Sequence, residues 1–421
     1  MTTISVKKES MERIVADFSE SSVGFVEKAA ISLLAICPIV QFYRGVYVNA
    51  AVSILLVLFP YVLLKIRIKR QISRKNFAII LPLIFLFLFQ VIDHGTSVTE
   101  LGQAVVFIVY VIAIACGCLS TRFFMRVIMF IAMLASVCII VQYFCYYVFH
   151  FHLQMSPTSL LLPRSQQWVL LAQTGRHSIT GKAIKFYRPS AFFLEPSHMF
   201  IYMFTPTTIQ VLSMDIKNRK EARRSLLLLL GMVMTTSGMG IVVAILLCLI
   251  YMGRTRDWRK RFSVRKLLLP KNLVKICVFL AVCFISYYYI PFVRNSVERV
   301  LFSGSDYSNA VSGRLDSGLN LISSMHGKQI ILGVQDGLSG VTASMSGLNE
   351  TMFQYGIIGV ILSYLFYLRG LFKLRNAYFW IAVIIIGISL FTQHTHSTMF
   401  MIYSTFVFFE GYKHNSKDII I

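Results

Sequence analysis

The chain has 421 residues, of which 56% are hydrophobic and only 14% charged, with a mean hydropathy of +0.69. That apolar content exceeds what a soluble domain can bury, and several runs approach the ~20 apolar residues needed to cross a bilayer. A net charge of +23 raises nucleic acid as a partner. Basic loops between spans account for it through the positive-inside rule, so no nucleic-acid partner is expected.

The short alternating segments of a membrane β-barrel are absent, and the expected class is an all-α, polytopic integral membrane bundle. The polar stretch Met1–Lys28 does not read as a cleavable signal peptide, so the first span is expected to direct insertion. The eight cysteines lie in apolar runs. They suit neither a disulfide framework nor a metal site.

Spans are expected at about Phe25–Phe42 and Val46–Leu64, followed by a loop with Lys65, Arg67, Lys69, Arg70, Arg74 and Lys75, which places that loop in the cytoplasm. Next come Phe77–Ile92, an acidic outer loop Asp93–Glu100, Leu101–Leu119, an inner turn with Arg122 and Arg126, and Val127–Phe149. A first large periplasmic loop is expected over 152–187, then a sixth span over Pro189–Val211 and a basic inner segment Asp215–Arg224.

The apolar run Leu226–Met252 has basic segments on both flanks, so it must cross the membrane an even number of times. Its 27 residues make a helix of about 40 Å, too short for two full spans. A hairpin of two short helices broken at Thr235–Gly240 is therefore expected, buried in protein or lining a cavity. Leu273–Phe292 leads into a second large periplasmic loop over 293–347. Leu348–Leu368, Ala377–Phe391 and Thr398–Phe409 complete about 12 transmembrane elements, with both termini cytoplasmic and 1–421 forming a single membrane domain.

Most of the 18 acids sit in the N-terminal tail, loops or basic turns. Four fall at or within spans: Glu27 and Glu410 at cytoplasmic ends near Lys28 and Lys413, and Glu195 and Glu350 at the outer side. An ionisable residue inside a membrane is a functional candidate, with a structural ion pair as the alternative. In YRPSAFFLEPSHMF, helical spacing sets Arg188, Glu195 and His198 on one side, with Pro189 in the first turn and Pro196 able to kink the helix.

The preceding loop carries Arg164, Arg176, Lys182 and Lys185 and no acid. Cations in an outer loop oppose the insertion bias, so an anionic ligand or anionic lipid headgroups must explain them. In the second large loop, Ser312–His326 is expected to form an amphipathic helix with Leu315, Leu319 and Ile322 on one face. Arg314 then stands near its N-terminus, and Gly333 and Gly337 allow turns close to a ligand. The outer turn QHTHS adds His394 and His396. No phosphate-cradling loop, cofactor motif or metal-ligand cluster is present.

Four stretches resemble the bacterial O-antigen and capsule polymerases (Wzy-type) and, more distantly, the O-antigen ligases: RPSAFFLEPSHMF, MTTSGMGIVVAILL, GRLDSGLNLI with IILGVQDG, and NETMFQYGIIGVI. The resemblance implies a GT-C-like, metal-independent glycosyltransferase without a cofactor, in the bacterial inner membrane. It implies a donor glycan on undecaprenyl pyrophosphate and an acceptor repeat unit on a second such lipid. The lipid bilayer and a chain-length regulator are the implied partners. Arg176, Arg188, Arg314 and Lys185 are candidates for the pyrophosphate. Glu195 leads as general base, with His198, Glu350 and His396 behind it. A repeat-unit flippase and an O-antigen ligase are the alternatives. The ligase pattern has a histidine before the asparagine where the second loop re-enters the membrane, and this chain has Leu348-Asn349.

Overall fold

The computed structural model describes residues 23–44, 48–69, 73–93, 98–151, 153–155, 189–215, 217–253, 269–289, 294, 312–334, 346–390 and 397–417. At 90, 92–93, 98–100, 271, 276, 279, 282–283, 312–317, 373 and 414–417 the description is of backbone alone. These residues are almost entirely helical. The only β feature among them is an isolated bridge between Arg44 and Asn49.

In chain order the helices are α1 (Phe25–Val40), α2 (Ala50–Lys69), α3 (Arg74–Asp93), α4 (Val98–Ala115), α5 (Thr121–Phe149), α6 (Pro196–Ser213) and α7 (Arg219–Met234). They continue as α8 (Gly238–Gly253), α9 (Pro270–Tyr289), α10 (Ser312–Ser323), α11 (Lys328–Leu332), α12 (Gly347–Lys373), α13 (Asn376–Ser389) and α14 (Thr398–Lys417). Local chemistry sets several of the starts. The side chains of Ser120, Asn218 and Ser346 accept hydrogen bonds from the backbone N–H groups of Phe123, Lys220 and Asn349, and so cap α5, α7 and α12.

Among the described residues, α2, α5 and α12 (to Phe372) are long and apolar enough to cross a membrane, and Leu101–Ala115, Gly238–Met252 and Asn376–Ser389 are shorter apolar helices. Large apolar side chains face outward on many helices: Val57 is 77% exposed, Phe130 62% and Phe284 68%. Such exposure suits hydrocarbon as the surrounding medium and marks a helical membrane protein. The apolar core joins α1 to α8 with α12, α13 and α14, and holds Phe87, Phe124, Phe204, Phe366, Tyr403 and Phe406 at full burial.

The run read as a broken hairpin is interrupted between Met234 and Gly238, where Thr236 takes a left-handed backbone (φ 53°). α7 and α8 pack on each other and both pack on α6. Ser225 Oγ donates to the Gln210 carbonyl at 3.4 Å, which sets the start of α7 beside the end of α6. The start of α8 lies beside the start of α6, because a Cβ on Gly240 would come within 3.5 Å of the Phe200 ring. At the far end, Val211 and Met214 share an apolar cleft of about 140 Å³ with Leu229, Cys248, Tyr251 and Met252. So α6 and α8 run parallel, with α7 antiparallel to both.

The bundle has two chemically distinct ends. At one, Lys69 donates to the Gly117 carbonyl, Asn76 Nδ2 to the Ala115 carbonyl at 2.9 Å, and Arg369 to the Ala78 carbonyl. Lys69 and Asn76 satisfy carbonyls at or just past the end of α4, and Arg369 satisfies the Ala78 carbonyl, which loses its helical partner because Pro82 has no N–H. Lys65 pairs with Glu27 at 2.8 Å at the same end, and Glu410 meets Thr121 and Arg122 there. From Thr121 to Gln142, α5 rises about 32 Å, close to the thickness of a bilayer core. The opposite end of the bundle therefore lies one membrane thickness away.

Three sequence expectations need correction. The sixth helix starts at Pro196, not Pro189, and Glu195 is its N-cap residue, so the helical spacing expected from Pro189 to Glu195 is not formed. Pro196 kinks nothing, since it sits in the first turn where its missing N–H costs no bond. The proline inside that helix is Pro206. In α10 the packed positions are Gly318, the half-buried Leu321 and Ile322, and Met325 just past its end, while Leu319 is 56% exposed. The expected face was turned by roughly one residue.

Candidate functional site

Pro189–Glu195 forms a short non-helical strap leading into α6. Its backbone is held from within the bundle. Gln142 of α5 is buried, and its Oε1 accepts from the Ala191 N–H at 2.8 Å. The same carboxamide donates from Nε2 to the carbonyls of Leu153 (3.0 Å) and Ala191 (3.4 Å). Ala191 is left-handed at φ 51°, a conformation that costs a residue with a Cβ about 1–2 kcal/mol. The Gln142 bonds hold it there. Ser190 closes the turn, with its Oγ donating to the Phe193 carbonyl (2.8 Å) and its own carbonyl accepting from the Phe193 N–H (2.9 Å).

This strap delivers Glu195 to the cap position of α6. Steric conflict with Pro196 keeps Glu195 extended (φ −138°, ψ 156°). Its carboxylate makes no capping bond to the helix; Oε2 accepts from Ser197 Oγ at 3.0 Å. A half-buried carboxylate at a helix N-terminus, held by one hydroxyl, keeps lone pairs for a proton or a ligand. His198 lies in the first turn, buried, with its imidazole flat on the Phe42 ring (centroids 4.4 Å apart, planes 2° apart). Stacking of this kind adds about 0.5–1.5 kcal/mol beyond the area buried. The neighbouring Tyr43 packs on Leu194 in a small cluster with Val40, Phe42 and Ala50. The α1–α2 link thus grips the strap on both sides of Glu195.

A second limb of the same end is built by α10, α11 and α12. Arg369 sits near the cationic end, so the N-terminus of α12, with Asn349 and Glu350, lies at the opposite end with Glu195. Ser346 caps α12, and the Glu350 N–H bonds the Ser346 carbonyl at 2.8 Å. α10 lies against this start: a Cβ on Gly318 would stand 2.2 Å from Asn349 Nδ2.

α12 itself breaks at Gly356 (φ 60°, ψ −164°). The break accepts the loop, since a Cβ on Gly356 would lie 2.3 Å from the Ile331 carbonyl oxygen. Reciprocally, one on Gly333 (φ 93°) would lie 2.1 Å from the Gln354 carbonyl oxygen. The Val334 N–H closes the contact on the Phe353 carbonyl at 2.8 Å. Gly333, expected to turn near a ligand, instead lets one backbone lie on another. Both limbs rest on α13, which packs against α6 and α12.

The acids at the cationic end have structural partners. Glu27 pairs with Lys65 rather than the adjacent Lys28. Glu410 is buried at 3% exposure, accepts from Thr121 Oγ1, and faces Arg122 Nε at 3.8 Å. Lys413 Nζ donates to the same Thr121 hydroxyl at 2.9 Å. A buried carboxylate among two cations and a hydroxyl locks α14 to α5.

Of the sequence-predicted residues, Glu195, His198 and Glu350 are placed at the end opposite the cationic belt. The backbone of Arg314 lies on α10 at that same end, without a description of its side chain. Arg176, Lys185, Arg188, His396 and Gly337 lie outside the described residues. Sequence reasoning missed Gln142, Phe42, Tyr43 and Ser197. Gln142 had a signal: a carboxamide within an apolar run must find partners, and that alone could have singled it out. No protein-family model matches this chain, and no curated protein matches it either.

Proposed function

We propose that the chain polymerises oligosaccharide repeat units carried on undecaprenyl pyrophosphate, as a metal-independent glycosyltransferase at the periplasmic face of the bacterial inner membrane. The observation that carries this reading is Glu195. It stands at the N-cap position of α6, its carboxylate making no bond to the helix backbone, on a strap pinned by Gln142, Phe42 and Tyr43, one membrane thickness from the cationic end. The positive-inside rule assigns the cationic end to the cytoplasm, which turns Glu195 and Glu350 outward.

In the proposed reaction, Glu195 takes the proton of an acceptor sugar hydroxyl. The hydroxyl oxygen forms a bond to the anomeric carbon of the donor glycan. The bond from that carbon to the pyrophosphate oxygen breaks, and the lipid pyrophosphate leaves with the electron pair. Arg176, Lys185, Arg188 and Arg314 would hold the charge that develops on the leaving group. Glu350, His198 and His396 stand as other candidates for the base. The second large loop, folded as α10 and α11 against α12, supplies the other wall.

The test is the glycan ladder of a deletion strain complemented with variants. Glu195→Gln should reduce long polymer to single displayed repeat units while the protein still inserts at wild-type abundance. A normal ladder removes Glu195 as the base. The break between α7 and α8 favours a second reading, a repeat-unit flippase, because transporters place discontinuous helices at substrate sites. Loss of all surface repeats on deletion indicates a flippase or a ligase, and single repeats still on display select the polymerase.

A further inference from the structure

Arg44 has no carboxylate partner for its side chain among the described residues, and the proposed catalytic set does not use it. It follows Phe42, stacked on His198, and Tyr43, packed on Leu194. One residue step, about 3.8 Å of backbone, therefore separates it from a residue fixed on the Glu195 strap. The described residues on either side of it are bonded to one another. Arg44 and Asn49 form an antiparallel bridge, the Ala50 N–H bonds the Tyr43 carbonyl at 2.9 Å, and Asn49 Oδ1 accepts from the Val52 N–H at 2.9 Å.

The Arg44 side chain is exposed, and among the described residues no carboxylate lies within ion-pair distance of it. Glu195, the nearest acid along the packed strap, takes the hydroxyl of Ser197 instead. A cation at the end opposite the basic belt also runs against the insertion bias, as the acid-free loop before Glu195 does.

We infer that Arg44 is a binding residue for the pyrophosphate of a polyprenyl-linked donor, reaching it from the α1–α2 link beside Glu195. This inference rests on the polymerase reading. A guanidinium presents paired N–H donors to two phosphate oxygens, and the bridge to Asn49 holds the Arg44 backbone beside the strap. A phosphate-bearing lipid is the shared chemistry, and its source is either the prenyl pyrophosphate or a bilayer phospholipid.

The test uses the full-length protein in nanodiscs of zwitterionic lipid, titrated with geranylgeranyl pyrophosphate, with geranylgeraniol, and with phosphatidylglycerol. The wild type should bind the pyrophosphate in preference to the alcohol. Arg44→Ala should weaken pyrophosphate binding about tenfold, the scale of one charge-assisted contact, and leave alcohol binding unchanged. Arg44→Lys should fall between. Unchanged pyrophosphate affinity in Arg44→Ala overturns the inference and leaves the polymerase reading standing on Glu195. A wild type that does not distinguish pyrophosphate from alcohol overturns both. If phosphatidylglycerol binds as well as the pyrophosphate and depends equally on Arg44, the residue serves the bilayer and the inference fails.

Discussion

Replacing Gln142 by leucine removes the one side chain that reaches from α5 to both sides of the Ala191 peptide. Leucine fills a similar volume, so the change isolates the hydrogen bonds. The Ala191 N–H, bonded to Gln142 Oε1 at 2.8 Å, is left buried and unpaired, at a cost of about 1–3 kcal/mol. Ala191 also stands in the left-handed region at φ 51°, which stores about 1–2 kcal/mol. The packing of Phe42 and Tyr43 still holds the strap, so Ala191 keeps that strained backbone and the measured loss is that of the unpaired N–H, about 1–3 kcal/mol.

Thermal unfolding of the full-length protein in detergent should show a fall of about 1–3 °C, since unfolding entropy scales with chain length and each kcal/mol moves the midpoint of a chain this long by about 1 °C. Limited proteolysis should open the segment before α6 first, and the glycan ladder should shorten because Glu195 loses its fixed position. Ala191→Gly removes the left-handed penalty, worth about 1 kcal/mol. In the Gln142→Leu background it should therefore recover part of the lost midpoint. An unchanged midpoint and ladder in Gln142→Leu would refute the anchoring role. A double variant no more stable than Gln142→Leu would refute the strain argument.

Other contacts yield equally direct tests. Gly231→Val should separate α7 from α5, since a Cβ there comes 2.3 Å from Ser136 Oγ; a loss of about 1–3 kcal/mol is expected in thermal unfolding, and Ser136→Gly should restore part of it. Gly356→Ala should release α11 from α12, because the added Cβ meets the Ile331 carbonyl in a left-handed backbone. Faster proteolysis within α11 with α6 still protected is the expected pattern, and wild-type protection would count against a docked loop. Glu410→Gln should leave Arg122 and Lys413 without their carboxylate and cost about 3–5 kcal/mol. Its readout is the fraction of protein that stays monodisperse in detergent, and a wild-type value would show that the pair contributes little.

The α-helical class, the apolar exterior and the approximate place of most helices were legible in the chain itself. Length and hydropathy of a run suffice for those, because backbone groups in hydrocarbon must pair within a helix. The break near Thr235 was legible too, from charge on both flanks of a run too short for two spans. The start of α6 was not. Pro189 and Pro196 each satisfy the rule for a first helical turn, and local propensity cannot rank them. What decides is Gln142, 49 residues away from Ala191 along the chain, whose bonds hold Ala191 in a non-helical backbone.

The face of α10 was hidden for a similar reason. Its apolar residues alone favoured Leu319, but the closest approach is made by Gly318, whose lack of a side chain lets Asn349 come in. The sequence by itself determined that this is a bundle for a bilayer and that Glu195 and Glu350 are its unusual acids. Which residues grip Glu195, and that Gly318 of α10 packs on Asn349 beside Glu350, only the tertiary structure decided. Those facts rest on bonds and close packing between helices far apart in the chain, and no local pattern encodes them.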